Sequence, residues 1–453
     1  MVRGFNTLVI RRRDFSALWD APHRPLFLLA FLCALLTVAW WPLGAQLGLP
    51  EPALEPAVLW HVHELLFGFA SAAIAGYLLT ALPGWTGRPP LRGAGLLALV
   101  AVWLLARIAI AAFSAMPLAV PLLLNGAFSL GLAGYLLSEL IAARTFRKLG
   151  FAAAVLALGL GEAAFLARAG TGNVYGSLEV AKTVISGLAL LLFSVGARAV
   201  PAFTRNWLAQ TGNPDLQFRD RPRTRGTAQV LLVLALALQL AGASHAAEAV
   251  LTAAAVPMIW MMSGWQTAAA LSNPLLAALH LGFLWLPLGA FAVGFSELNL
   301  ADYPPAAAVH AITIGAMTGL IMAIAGRAAA HSDDGKMRAG AGFSAGAGLI
   351  WTAVWLRLAA PAVPAFSEIL VSSSALLWTA AWIAFITGFL PALTGPVRRP
   401  VLSGQRFDPP VARPGKPPDW NETARDRPRS YRTTCTGHLR RNCPMRRRFQ
   451  PAP

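Results

Sequence analysis

The sequence predicts an all-α, polytopic membrane bundle of about 12 transmembrane helices, and three observations predict it. Of the 453 residues, 56% are hydrophobic and only 13% charged, where a soluble domain carries about 25% charged residues. The apolar residues come in runs of about 20, the length at which a helix crosses the hydrocarbon core. The charges are pushed into the short segments between those runs. A soluble multidomain enzyme is excluded. Cys33, Cys435 and Cys443 are too few for a disulfide framework and lack zinc-site spacing.

The runs are Leu26 to Leu47, Trp60 to Leu82, Ala94 to Phe113, Leu118 to Ile141, Leu149 to Ala169 and Leu178 to Val200. They continue with Thr227 to Ser244, Ala247 to Trp265, Leu275 to Phe295, Pro305 to Gly326, Ala339 to Ala359 and Phe366 to Leu390. Backbone inside a bilayer must satisfy its own hydrogen bonds, so each run is expected to be helical and no sheet is expected there. Pro83-Gly84, Met116-Pro117 and Asn273-Pro274 punctuate the pattern as turns. The boundary near His245 is the weakest, because little separates the seventh and eighth runs.

With an even number of crossings, alternate loops collect the basic residues. One face holds Arg3 to Arg24, Arg88 with Arg92, Arg144 to Lys148, Arg205 to Arg225, Arg327 to Arg338, and Arg398 with Arg399. The other holds Glu51, Glu55, Glu297 and Asp302. The excess of Lys and Arg marks the cytoplasmic side, so both termini are expected there. Three parts result: a basic N-terminus (1–24), a transmembrane domain (25–391) and a basic tail (392–453). The tail carries 14 of the 37 Lys and Arg against 4 of the 20 Asp and Glu. It is rich in Pro and Arg and lacks apolar periodicity, so it is expected to be disordered. Attraction to anionic lipid explains its charge better than nucleic acid does; the bilayer is the expected partner.

Ionisable groups inside a membrane are costly and therefore functional candidates. His61 and His63 open the second run and His310 opens the tenth, all toward the non-cytoplasmic side, with His245 in a neighbouring loop. Imidazole is the common protein ligand of haem iron and of copper, and His61, His63 and His310 are the candidate metal ligands. Two residues apart on a helix means about 200° apart, so His61 and His63 share one ion only if the turn is irregular; otherwise they serve separate centres. His280 begins the ninth run at the opposite end, as a ligand of a second centre or a helix-to-helix hydrogen-bond partner. Arg107, Arg168 and Arg357 lie in the last turns of the third, fifth and eleventh runs, on the histidine side. A guanidinium forks onto carboxylates, so haem propionates, Glu51, Glu55 or Glu162 are candidate partners, and snorkelling is the alternative. Glu179 and Lys182, three apart, are expected to pair. Trp40, Trp41, Trp60, Trp85 and Trp265 are expected as interfacial anchors.

A family resemblance rests on His61-Val-His-Glu-Leu-Leu-Phe-Gly-Phe-Ala, continuing to Gly76-Tyr-Leu-Leu-Thr-Ala-Leu-Pro-Gly-Trp-Thr-Gly-Arg-Pro-Pro-Leu. Arg24-Pro-Leu-Phe, Val200-Pro-Ala-Phe-Thr-Arg-Asn-Trp, Leu279-His-Leu-Gly-Phe and His310-Ala-Ile-Thr-Ile-Gly-Ala-Met-Thr extend it. These segments resemble the NnrS family over residues 24 to about 390. The resemblance implies a bacterial inner-membrane protein with haem and copper, acting in nitric oxide and nitrosative-stress metabolism, with nitric oxide as its small-molecule ligand. The family's motif histidines fall on His61, His63, His280 and His310. The segment Arg327-Ala-Ala-Ala-His331 departs from the family pattern, with Ala330 where glycine would precede the histidine. Two other readings stay open: a cofactor-free secondary transporter using Glu64, Glu139 and Glu162 as proton relays, and a subunit that delivers or senses haem or copper.

Overall fold

The computed structural model describes residues 15–212, 217–300, 302–332, 336–394, 397 and 400–402. The tail reading falls almost wholly outside the described residues, as does most of the basic N-terminus. Among them no strand occurs, and eleven helices are long and apolar enough to cross a membrane. In chain order the helices are α1 His23–Gly44, α2 Ala57–Thr86, α3 Ala94–Ala111, α4 Ala119–Ala142, α5 Phe146–Ala169 and α6 Val174–Thr211. After α7, Pro222–Leu240, come α8 Ser244–Met262, α9 Pro274–Glu297, α10 Pro305–Ala329, α11 Ala341–Ala362 and α12 Pro364–Leu393. The chain is an all-α, multi-pass membrane protein.

Eleven of the twelve predicted runs lie on these spanning helices, in keeping with the predicted bundle of about twelve. The seventh run is a helix, but α7 is not among the eleven apolar enough to span. Its first turns carry Arg223 and Arg225, with Gln229 just beyond, and these offset the leucines that follow. It packs along α8 and α6, and it exposes Val230, Val233, Leu234 and Leu240. That is the outward apolar face that hydrocarbon requires. The lipid-facing sides of α3 and α4 expose Leu97, Leu104, Ile108, Leu123 and Leu130 in the same way.

Two cores hold the bundle together. One joins α1 to α5, the first half of α6 and parts of α10 to α12 around Phe31, Phe69, Trp382 and Phe385. The other joins the second half of α6 with α7 to α10 around Phe193, Trp265, Phe283 and Leu286. Without a hydrophobic force between helices in lipid, close backbone approach supplies much of the association. Gly282 of α9 and Gly319 of α10 meet in this way: a Cβ on Gly282 would lie 3.0 Å from the Gly319 carbonyl carbon.

Three spans are not regular throughout. π-helical turns occupy Glu64–Phe69 in α2 and Ala311–Thr318 in α10, and α1 is broken at Trp41, whose φ of −143° and ψ of 124° are extended. A π turn inserts a residue into the ladder and recurs at functional sites. Both π turns begin immediately after a histidine, His63 and His310, and the break in α1 falls at Trp41, whose ring lies 5.3 Å from that of His61.

Candidate cofactor site

The structure sorts the four candidate histidines into two kinds. Ala57–His63 is regular α-helix, so His61 and His63 face different surroundings. The His63 ring is fully buried, with Nδ1 3.2 Å from Glu64 Oε1 and Nε2 3.2 Å from Glu162 Oε1. It leans on Phe67 and Phe165. His280, also fully buried, has Nε2 2.8 Å from Thr204 Oγ1 and Nδ1 3.0 Å from Thr267 Oγ1. Both nitrogens of His280 are therefore hydrogen-bonded, whereas His63 has one hydrogen bond, between Nδ1 and Glu64 Oε1, and its Nε2 has the Glu162 carboxylate in ion-pair range without a hydrogen bond.

His61 and His310 differ. Nδ1 of each is buried and has no hydrogen-bond partner. His61, His310 and Arg357 lie within electrostatic reach of one another. The Trp41 backbone neighbours the His61 ring, and the backbone of Ala306 and Ala307 neighbours the His310 ring. Buried polar groups are almost always satisfied; the Nδ1 atoms of His61 and His310 are two exceptions within electrostatic reach of one another, beside others that include His23 Nδ1 and His63 Nε2.

The three arginines separate too. Arg107 is committed within the protein: Nη1 donates to Glu64 Oε1 at 2.7 Å, and Nη2 donates to Asn125 Oδ1 and lies 3.5 Å from Glu162 Oε1. Cys33 Sγ sits 3.5 Å from Glu64 Oε2. A Cβ on Gly68 would come within 3.1 Å of the Arg107 guanidinium, so glycine lets the network close. Arg168 is exposed at the end of α5, where Nη1 lies 3.4 Å from the Ala164 carbonyl. Arg357 is half-buried beside His61 and His310, and among the described residues it pairs with no carboxylate.

Two expectations are corrected. Lys182 does not pair with Glu179: its Nζ bridges Glu248 Oε1 at 3.1 Å and Glu297 Oε1 at 2.9 Å. The long lysine stem reaches across to α8 and α9, where buried carboxylates need a cation more than the exposed neighbour one turn away. Trp265 is not an interfacial anchor but fully buried, packed on Phe283 and edge-on to His280. The members of the ionic network that sequence reasoning did not single out are Cys33 and Asn125; neither residue type signals a partner on the neighbouring helix.

Among the described residues no group of three or more His, Cys, Asp or Glu is placed to hold a metal ion. A bare ion that needs three or four protein ligands therefore finds no set here. Haem is less demanding, because its macrocycle supplies the equatorial nitrogens and the protein supplies the axial ones. Two unengaged imidazoles and an unpaired guanidinium fit that division: nitrogen for iron, Arg357 for a carboxylate arm.

His280 yields a sharp contrast. His280→Ala is expected to leave any cofactor content unchanged while lowering stability by about 1–3 kcal/mol, since it strips Thr204 and Thr267 of their partner. Thermal unfolding of the purified variant, read beside its absorbance, checks both halves.

The fold and this site define a polytopic membrane protein with an intramembrane ionic network and a separate pair of unengaged histidines. The chain belongs to the NnrS family: the family model described as NnrS protein matches residues 17–397. At the level of the family, membership supports a nitric-oxide-related membrane protein. No curated protein matches the chain.

Proposed function

We propose that this protein is a haem- and copper-bearing component of nitric oxide and nitrosative-stress metabolism in the bacterial inner membrane, with its basic loops on the cytoplasmic side. One observation carries the reading. Of the four candidate histidines, His61 and His310 alone have no polar side-chain partner, each keeps a buried Nδ1 without a hydrogen bond, and both lie within electrostatic reach of Arg357. His61 and His310 would hold the iron and Arg357 a propionate. When bound, haem iron would supply affinity for nitric oxide, at the position that one of the two imidazoles would give up.

The residues around that position do the rest. The π turns after His63 and His310 set the direction of the helices that carry the ligands. Trp41 packs edge-on against His61 and shields its ring from water. His63 and Arg107 are bound into the neighbouring network and hold α2 against α3 and α5.

The same pairs weigh against a transporter reading. Glu64 and Glu162 are tied to Arg107 and His63, and Glu139 is tied to Arg88 at 2.6 Å, so each proposed relay carboxylate already has a basic partner. Copper is part of the proposal without assigned ligands.

Haem and metal quantification on the purified full-length protein, with optical spectra before and after nitric oxide, tests the reading. The expected result is a Soret band that shifts on adding nitric oxide. A colourless, metal-free protein that retains its activity would overturn it.

A further inference from the structure

A second ionic cluster lies where α6 and α8 begin and α9 ends, on the side opposite the basic loops. Lys182 Nζ is 3.1 Å from Glu248 Oε1 and 2.9 Å from Glu297 Oε1. Glu248 is buried, 4% exposed, whereas Glu297 is partly open and Glu179 is exposed. The charges do not balance. One ammonium faces two carboxylates, and Glu179, within electrostatic reach of Glu248, adds a third. Surplus charge held out of water is costly, so the cluster calls for one positive charge more than its side chains supply.

A second observation locates the deficit. Glu248 Oε2 is buried and has no hydrogen-bond partner, and among the described residues it is the only oxygen in that condition; the other such atoms are nitrogens. An orphaned N–H forgoes one hydrogen bond, whereas a bare carboxylate oxygen leaves part of a charge unsolvated. The neighbours offer no donor. The Thr252 hydroxyl, one turn on, is spent on the Glu248 carbonyl at 2.8 Å, and His245, on the preceding turn, is exposed. α7, packed along α8, has its titratable groups, Arg223 and Arg225, at its far end, and the end of α9 brings only Glu297. A metal ion gathers several oxygens around itself, and among the described residues no set of three carboxylates or imidazoles is placed to hold one. A proton needs one atom.

We propose that Glu248 is a proton-binding site. An O–H bond forms at Oε2 with a proton taken from water on the side of Glu297 and Glu179, while Oε1 accepts from Lys182 Nζ. The ammonium is then balanced by Glu297 alone, and the buried part of the cluster is neutral. The inference is independent of the cofactor reading.

Infrared difference spectra of the full-length protein in lipid, wild type minus Glu248→Gln, test it. The expected result at neutral pH is a protonated-carboxyl C=O stretch that shifts in D2O, fades as the pH is raised and is missing from Glu248→Gln. Glu297→Gln frees Lys182 to balance Glu248, so it should weaken proton binding about tenfold or more and move the loss of that band to lower pH. Glutamine copies the neutral acid, so Glu248→Gln should unfold at the wild-type temperature. A wild type without the band, or a band that survives in Glu248→Gln, overturns the proposal. So does a Glu248→Gln protein that fails to fold, because the ionised carboxylate would then be the required form. A band unmoved in Glu297→Gln overturns it by removing the charge argument. Loss of the band on exchanging potassium for sodium at constant pH would make the guest a metal ion and overturn it too.

Discussion

Arg107→Met is expected to destabilise the protein by about 3–5 kcal/mol, the cost of stripping a buried ion pair of one partner. Glu64 and Glu162 are 6% and 3% exposed, and Arg107 is the only guanidinium bonded to either among the described residues. With it gone, two carboxylates face each other across His63 in a region that water does not reach, and Asn125 loses its donor. Arg107→Lys should recover only part of the loss. A single ammonium cannot fork to Glu64, Asn125 and Glu162 together. The double variant Arg107→Met/Glu64→Gln should be more stable than Arg107→Met alone, because removing the stranded charge relieves the penalty. Thermal unfolding in a common detergent measures all three. Equal stability of Arg107→Met and wild type would mean that the network is not what holds α3 to α2 and α5.

That network marks the limit of what the sequence makes legible. The spans were readable because hydrocarbon imposes one rule on every exposed position, and α7 falls outside the eleven because its helix begins at Pro222, upstream of the predicted run, and takes in Arg223 and Arg225. The separation of His61 from His63 was also readable, since two residues are about 200° of helix. Their surroundings were not. Which carboxylate reaches a basic group depends on which helices pack, and that contact lies 55 residues away for Arg107 and Glu162. Lys182 shows the same limit. The neighbour one turn away was visible, yet Glu248 and Glu297 hold the lysine because burial makes their need greater. The π turns left no trace either, because no residue type demands the extra residue.

The sorting of the histidines leads to the sharpest result expected. If His61 and His310 present nitrogen to iron, His310→Ala and His61→Ala should each remove most of the Soret absorbance and co-purifying haem, with modest change in unfolding temperature. Neither ring donates or accepts a side-chain hydrogen bond that its loss would strand. Arg357→Leu should weaken haem retention about 10–100-fold, the equivalent of one charge-assisted hydrogen bond at about 1.5–3 kcal/mol. His63→Ala should behave in the opposite sense. It removes a ring wedged between two buried carboxylates, so the fold weakens while the absorbance of the surviving folded protein persists. The four variants therefore divide by whether the side chain lies against buried carboxylates, and the ratio of haem to folded protein measures it. Loss of colour in His63→Ala with full colour in His310→Ala would place the ligand in the ionic network instead. The unengaged imidazoles would then need another occupant.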